Sequence, residues 1–255
     1  MFVALMEFNS KQTEETLHSD MPEKLSLIDF DEITLMLPTL NEEEAIGELV
    51  DEAKTVGFRH ILVIDGFSTD QTREIAKGAG ANVLLQEFGK GKGCGVRTGM
   101  QEFLRGGGQL LCILDSDGTN MPSFLRDMIP LASSGKADVV LGSRTRGPRE
   151  SHSMGLLSLA SNLVVSFLLG IKFGRIFTDI QTGYWLFTKH AVQTVYPEIQ
   201  SKGFEIELEI FVKILRAQLR VVEVPVGFRC RKGYTKFSFM LRMRNLYYAF
   251  KFLAS

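Results

Sequence analysis

Short apolar runs, each closed by a turn and separated by helix-length stretches, constrain this chain more than any other feature. They are ITLMLP (33–38), HILVID (60–65), ANVLLQ (81–86), QLLCILD (109–115) and ADVVLG (137–142). Strands apolar at nearly every position are buried on both faces, the pattern of a parallel sheet covered by helices. The intervening segments read as those helices. Asn41 can cap 42–56, with Glu44 three residues on as in a capping box. Ser68 or Thr69 can cap a second helix through Lys77, which Gly78 and Gly80 end. The predicted class is α/β, with a mostly parallel sheet and helices on both faces. Sites in such sheets form outside the carboxyl ends of the strands. Here three strands end in polar turns: LPTLNEEE, IDGFSTD and LDSDGTN.

Composition narrows the class further. The 255 residues are 45% hydrophobic and carry a formal charge of −1, which excludes disorder and argues against a nucleic-acid partner. Three scattered cysteines, Cys94, Cys112 and Cys230, read as reduced thiols in a reducing compartment. The near-neutral total hides a gradient. Residues 1–60 hold 14 acidic and 4 basic side chains, whereas 213–255 hold 10 basic ones and the single acid Glu223. That asymmetry points to an anionic partner at the C-terminal end. Residues 1–30 read as a loosely ordered arm without a secretory signal, and the expected location is cytoplasmic.

Two later segments are amphipathic. Ser151–Ile171 lacks formal charge, with Leu156, Ala160, Leu163, Phe167 and Ile171 on one helical face and Ser158, Asn162 and Ser166 on another. It reads as a helix lying on a membrane or against the core. The C-terminal stretch 237–255 places Phe239, Met243, Leu246, Phe250 and Leu253 at helical spacing with Arg242, Arg244 and Lys251 elsewhere. That is how a membrane-interfacial helix reads, and also how a core-packing or dimer-forming helix reads.

Familiar nucleotide loops are excluded. GKGKGCGVRTG (89–99) matches neither the Walker A spacing nor G-x-G-x-x-G, although its glycines and lysines, Lys92 among them, could let backbone N–H groups approach an anion. The same segment also reads as a solvated turn. More pointed is Asp115-Ser116-Asp117 at the end of LLCIL. Two carboxylates so close repel at the edge of an apolar sheet, and a divalent cation would relieve that. The alternative is that they shape a turn or cap a helix. Asp65 and Glu42 also stand at strand ends, whereas Asp70 reads as serving a helix N-terminus.

The ordered set LPTLNEEEAIG, VIDGFSTDQT, GKGKGCGVRTG, LDSDGTNMP, LGSRTRG and DIQTGYWLF resembles family 2 glycosyltransferases over about residues 31–240. Within that family it is similar to the dolichyl-phosphate (polyprenyl-phosphate) mannose or glucose synthases. The resemblance implies a Rossmann-like GT-A fold over 31–236, a nucleotide-sugar donor, and Mg²⁺ or Mn²⁺ on Asp115 and Asp117. It implies Pro38, Leu40, Asn41 and Glu42 around the base and ribose, and Asp65 on the uracil or guanine. Lys92 and Ser116 join the implied donor site. Arg144 matches a position facing a lipid phosphate, and Arg229, Arg231 and Lys236 match a basic loop that closes over the phosphates. Leu40 stands where an aromatic residue is frequent, and Asn120 near where many relatives have Gln followed by His.

The chemistry is consistent with that set. The leaving diphosphate needs its charge neutralised. A phosphate acceptor is already anionic, so it needs positioning by cations such as Arg144 rather than a general base. Glu205, Glu207 and Glu209 are read as a solvated helix start rather than as a base. The expectation is an inverting hexose transfer to a polyprenyl phosphate by an enzyme peripheral on the cytoplasmic membrane face. A soluble phosphorylated acceptor and a non-catalytic nucleotide-sugar-binding scaffold are the alternatives.

Overall fold

The structure is a computed structural model that describes residues 29–233, 244 and 246–251. The five apolar runs become β1 (Ile33–Thr39), β2 (His60–Asp65), β3 (Asn82–Leu85), β4 (Leu110–Leu114) and β5 (Val139–Ser143). Two more strands follow, β6 (Tyr184–Thr188) and β7 (Val221–Pro225), and all seven form one sheet in the order β3-β2-β1-β4-β6-β5-β7. Only β6 runs antiparallel to its neighbours, β4 and β5. Its reversed direction carries residues 179–183 to the edge where the parallel strands end, and Asp115 N–H donates to the Gly183 carbonyl there.

Helices α1 (Ile46–Val56), α2 (Thr72–Gly78), α3 (Lys92–Arg105), α4 (Leu125–Ser133), α5 (Leu156–Phe173), α6 (Lys189–Val195) and α7 (Ile206–Arg216) cover the sheet. Alternation along β1 sorts the two sides. Met36 packs with Val96, Met100 and Phe103 of α3, while Leu35 and Leu37 pack with Ile46, Leu49 and Val50 of α1. Gly99 lets α3 approach so closely that a Cβ there would overlap the Met36 sulfur. Tyr184 and Trp185 are buried in the core, as their apolar setting suggests.

Three local expectations are corrected. The first helix begins at Ile46, not at residue 42, because the turn before it is pinned to the turn after β2. Asn41 N–H donates to Ser68 Oγ, Asn41 Oδ1 accepts from Thr69 N–H, and Glu43 and Asp70 exchange hydrogen bonds with backbone N–H groups of the opposite turn. Asn41 takes a positive φ of 47° there instead of capping a helix. The second helix likewise starts at Thr72, without Ser68 or Thr69 as its cap. Asp70 does serve that helix start, accepting from Thr72 N–H and Oγ1–H.

The third correction concerns α5. The helix does pack against the core, through Val165 and Leu169, but not through the expected apolar stripe: Leu156, Leu163, Phe167 and Ile171 are exposed, whereas Asn162 and Ser166 are buried. The polar side turns inward because the segment before β6 offers partners. Asn162 Nδ2 donates to Asp179, its Oδ1 accepts from Gln181 N–H, and Ser166 Oγ accepts from Ile180 N–H. Of the C-terminal stretch, 244 and 246–251 are described and helical, and Leu246 and Tyr248 pack on the core. Residues 1–28 of the N-terminal arm (1–30), Lys236 and the rest of 237–255 lie outside the described residues.

Candidate active site

A cavity of about 590 Å³ opens at the carboxyl ends of β1 and β4. Pro38, Leu40, Glu42, Lys92, Asp115, Ser116, Asp117, Arg144 and Arg231 all line it. Ser116 is held by donating its hydroxyl to the Pro38 carbonyl, which fixes the acidic turn against β1. Asp117 Oδ1 accepts from both Thr119 N–H and Thr119 Oγ1–H, leaving Oδ2 for Arg231.

Charge in this cavity is arranged in linked pairs. Lys92 Nζ lies 2.5 Å from Asp115 Oδ1 and 2.5 Å from Glu207 Oε1. Arg231 bridges Asp117 and Glu42, with 2.5 Å to each. Arg144 lies against Asp179, at 2.7 Å through both Nε and Nη2, and its Nη2 also donates to the Gln181 carbonyl. Burial opposes charge at Asp115, but the adjacent ammonium of Lys92 wins and holds the carboxyl below its usual range. Burial likewise opposes charge at Lys92, and the flanking Asp115 and Glu207 push its pKa up. At Glu207 burial dominates and raises the pKa despite Lys92.

These shifts have a sign that can be measured. Asp115, depressed in the fold, adds stability that is present above its ordinary 3.8 and lost as pH falls through the lower folded value. Lys92, raised in the fold, adds stability throughout the range below its ordinary 10.5. Glu207 works oppositely, subtracting stability as pH climbs past its ordinary 4.5. Lys92→Met therefore unfolds at lower urea than the wild type at neutral pH. Urea titrations should show that gap narrowing below pH 3.8, where Asp115 is protonated in the unfolded chain.

Other expected site residues lie elsewhere. Asp65 is fully buried and outside the cavity lining, its carboxylate accepting from Phe67 and Ser68 N–H. Asn41 is spent on the turn at Thr69. Arg229 points away, forming a bidentate pair with Glu52 of α1 and donating to the Gly118 carbonyl. Of that basic stretch, Arg231 lines the cavity and Arg229 does not. The N-terminus of α3 is also not an open anion cradle, since Gly93 and Cys94 N–H both donate to the Lys202 carbonyl. Its glycines serve that close crossing; a Cβ at 91 or 93 would overlap backbone of residues 201–202.

The largest departure is Glu207. The solvated reading of Glu205, Glu207 and Glu209 is overturned, as all three are buried. Glu209 accepts from Gln200 and Ser201 N–H, Glu205 accepts from Gly203 N–H, and Glu207 faces the cavity. The alternation of Ile206, Leu208 and Ile210 with these acids carried the signal, because it leaves no solvated helix face. Asp179 was also missed, its place being defined by long-range contacts with Arg144 and Asn162. Gly183 is a third: a Cβ there would overlap the Asp115 carboxylate. Gly183→Ala should displace that carboxylate and lower kcat/KM about a hundredfold in steady-state assays, with smaller loss of stability.

A family model described as glycosyl transferase family 2 matches residues 34–196. The chain belongs to that family. The glycosyltransferase AglJ of Haloferax volcanii is 33% identical over 78% of this chain and 63% of its own length. A UDP-N-acetylglucosamine–dolichyl-phosphate N-acetylglucosaminyltransferase of Methanococcus voltae is 26% identical over 86% of this chain and 92% of its own. Among solved structures, glucosyl-3-phosphoglycerate synthase of Mycobacterium tuberculosis, in complex with Mn²⁺, UDP and phosphoglyceric acid, superposes with a TM-score of 0.70 at 17% identity. It covers 87% of this chain and 78% of its own, and it shows that this glycosyltransferase has the GT-A fold.

The donor set suits the divalent cation that the fold implies. Discounting Arg144, which Asp179 neutralises, the cavity holds four carboxylates (Glu42, Asp115, Asp117, Glu207) against two cations (Lys92, Arg231). That leaves two negative charges and only hard oxygen donors, a match for Mg²⁺ or Mn²⁺. Among the described residues no three acidic, histidine or cysteine side chains converge as a closed metal cage. Asp115 and Asp117 would thus supply part of the shell and leave positions open to phosphate oxygens.

Proposed function

We propose that this glycosyltransferase moves a hexose from a nucleotide-sugar to a polyprenyl (dolichyl) phosphate, with inversion, using a divalent cation at Asp115 and Asp117. The observation that carries the acceptor is α5. Its first half lines the charged cavity through Ser158, Ser161 and Asn162, beside Gly155 just before the helix. Its second half borders an apolar groove of about 530 Å³, walled by Leu163, Val164, Phe167, Ile171 and Ile176. An acceptor with an anionic head and a long apolar tail suits a helix that borders a charged cavity with its first half and an apolar groove with its second. Arg144, fixed by Asp179, stands where it can orient the head. Pro38, Leu40 and Glu42 line the side assigned to the nucleoside, and Ser116 supports it.

The bound metal would neutralise charge developing on the departing diphosphate. Lys92 and Arg231 supply further positive charge at the same wall, and Lys236 belongs to the basic segment that follows Arg231. The acceptor phosphate oxygen attacks C1 of the sugar, the C1–O bond to the diphosphate breaks, and no proton has to be removed. Exposed Leu156, Leu157, Phe167 and Ile171 would rest against a membrane surface. The Methanococcus voltae relative, whose name specifies a dolichyl-phosphate acceptor, supports this reading. A soluble phosphorylated acceptor, as in the solved Mycobacterium neighbour, shares the phosphate chemistry but leaves the apolar groove without an occupant.

The deciding experiment presents UDP-glucose, UDP-N-acetylglucosamine and GDP-mannose, each with Mg²⁺ or Mn²⁺, to polyprenyl phosphate in vesicles and to 3-phosphoglycerate in solution. Radiolabel should move to the lipid from one nucleotide class and only with metal. Label on phosphoglycerate alone would overturn the lipid acceptor. The productive nucleotide at a hundred times its dissociation constant should stabilise the fold by about 2.7 kcal/mol.

A further inference from the structure

Both carboxylates assigned to the metal already carry one of the protein's own cations, and each cation has a second carboxylate beside it. Lys92 sits between Asp115 and Glu207, and Arg231 between Asp117 and Glu42, all four separations being 2.5 Å. A metal ion at Asp115 and Asp117 competes for the same oxygen lone pairs that these ammonium and guanidinium groups occupy. Building on the divalent-cation reading above, the geometry points to a counter-ion exchange: as the metal arrives, Lys92 transfers its pairing to Glu207 and Arg231 to Glu42. The two glutamates are positioning residues that set metal affinity without being ligands.

The surroundings of each glutamate fit that role. Glu207 is fixed on the first turn of α7 and buried, so an adjacent cation is needed to keep its charge. The Phe204 ring, 5.7 Å from Lys92 Nζ, gives the ammonium a second support on the Glu207 side. Glu42 is buried in the pinned turn, its N–H donating to Thr72 Oγ1. Neither cation has to leave the cavity or enter water when it yields its aspartate. Removing either glutamate strands a positive charge against the incoming metal.

The test is a double-mutant cycle on the full-length protein, read as Mn²⁺ binding by electron paramagnetic resonance, with Mn²⁺ alone and with UDP. Glu207→Gln should weaken Mn²⁺ binding about tenfold, the weight of one charge-assisted hydrogen bond. Lys92→Met should not weaken it, and in the Lys92→Met background the Glu207→Gln penalty should vanish. The same penalty in both backgrounds would overturn the exchange, because Glu207 would then act through its own charge or as a ligand. Equal binding by Glu207→Gln and wild type would overturn it too. Glu42→Gln against Arg231→Met supplies a second, independent cycle should one variant fail to fold. A folded wild type that binds no Mn²⁺, with or without UDP, would instead overturn the metal reading itself.

Discussion

Asp115→Asn is expected to lower kcat/KM for sugar transfer by about a thousandfold or more, a transition-state loss of roughly 4 kcal/mol. The substitution keeps the side-chain volume and the Asp115 N–H bond to the Gly183 carbonyl, so the strand end survives. What it removes is charge. The cavity falls from two net negative charges to one, and the proposed metal loses half of its protein ligands. Lys92 keeps Glu207 as a partner, so no ammonium is orphaned, and unfolding midpoints should fall only by the stability that the Asp115 charge contributes. Steady-state assays with saturating Mn²⁺ decide the matter. Transfer within tenfold of wild type would remove Asp115 from the chemistry.

The largest stability loss is expected at Asp179. Its carboxylate is fully buried and accepts from Arg144 backbone N–H, Arg144 Nε and Nη2, and Asn162 Nδ2. Asp179→Asn turns one acceptor oxygen into a donor facing other donors and leaves the part-buried Arg144 guanidinium without its counter-charge. Breaking one side of a buried pair costs about 3–5 kcal/mol, which urea denaturation would read directly. Replacing both members, Arg144→Met with Asp179→Leu, should return part of that stability while transfer stays lost. If the single substitution costs under about 1 kcal/mol, the Asp179 pair does not fix Arg144.

Much of the scaffold was legible in the chain itself. Five strands fall where continuous apolar runs stand; β1, β2, β4 and β5 are largely buried on both sides, whereas β3 is an edge strand with no buried residue. The carboxylate pair was legible because an Asp-Ser-Asp closing a buried strand has few inexpensive explanations. Helix starts were read less well. Asn41 and Ser68 are good caps by type, but each spends its side chain on the other's turn, residues that lie 27 apart in sequence. The same long-range pairing hides function. Arg229 and Arg231 stand two residues apart in one basic stretch, yet one joins Glu52 outside the cavity and the other joins Asp117 within it.

The sequence alone determined the α/β class, the order of the strand-end turns, the family and the acidic pair, because each is written in local composition and spacing. Only the tertiary structure decided which charges meet. It turned the polar side of α5 inward and the apolar side out, and it buried Glu207 beside Lys92. It also placed Asp179 under Arg144. These outcomes depend on partners brought from distant segments, and a buried charge or amide goes where its counter-charge or hydrogen-bond partner is, whatever the periodicity of its own helix suggests.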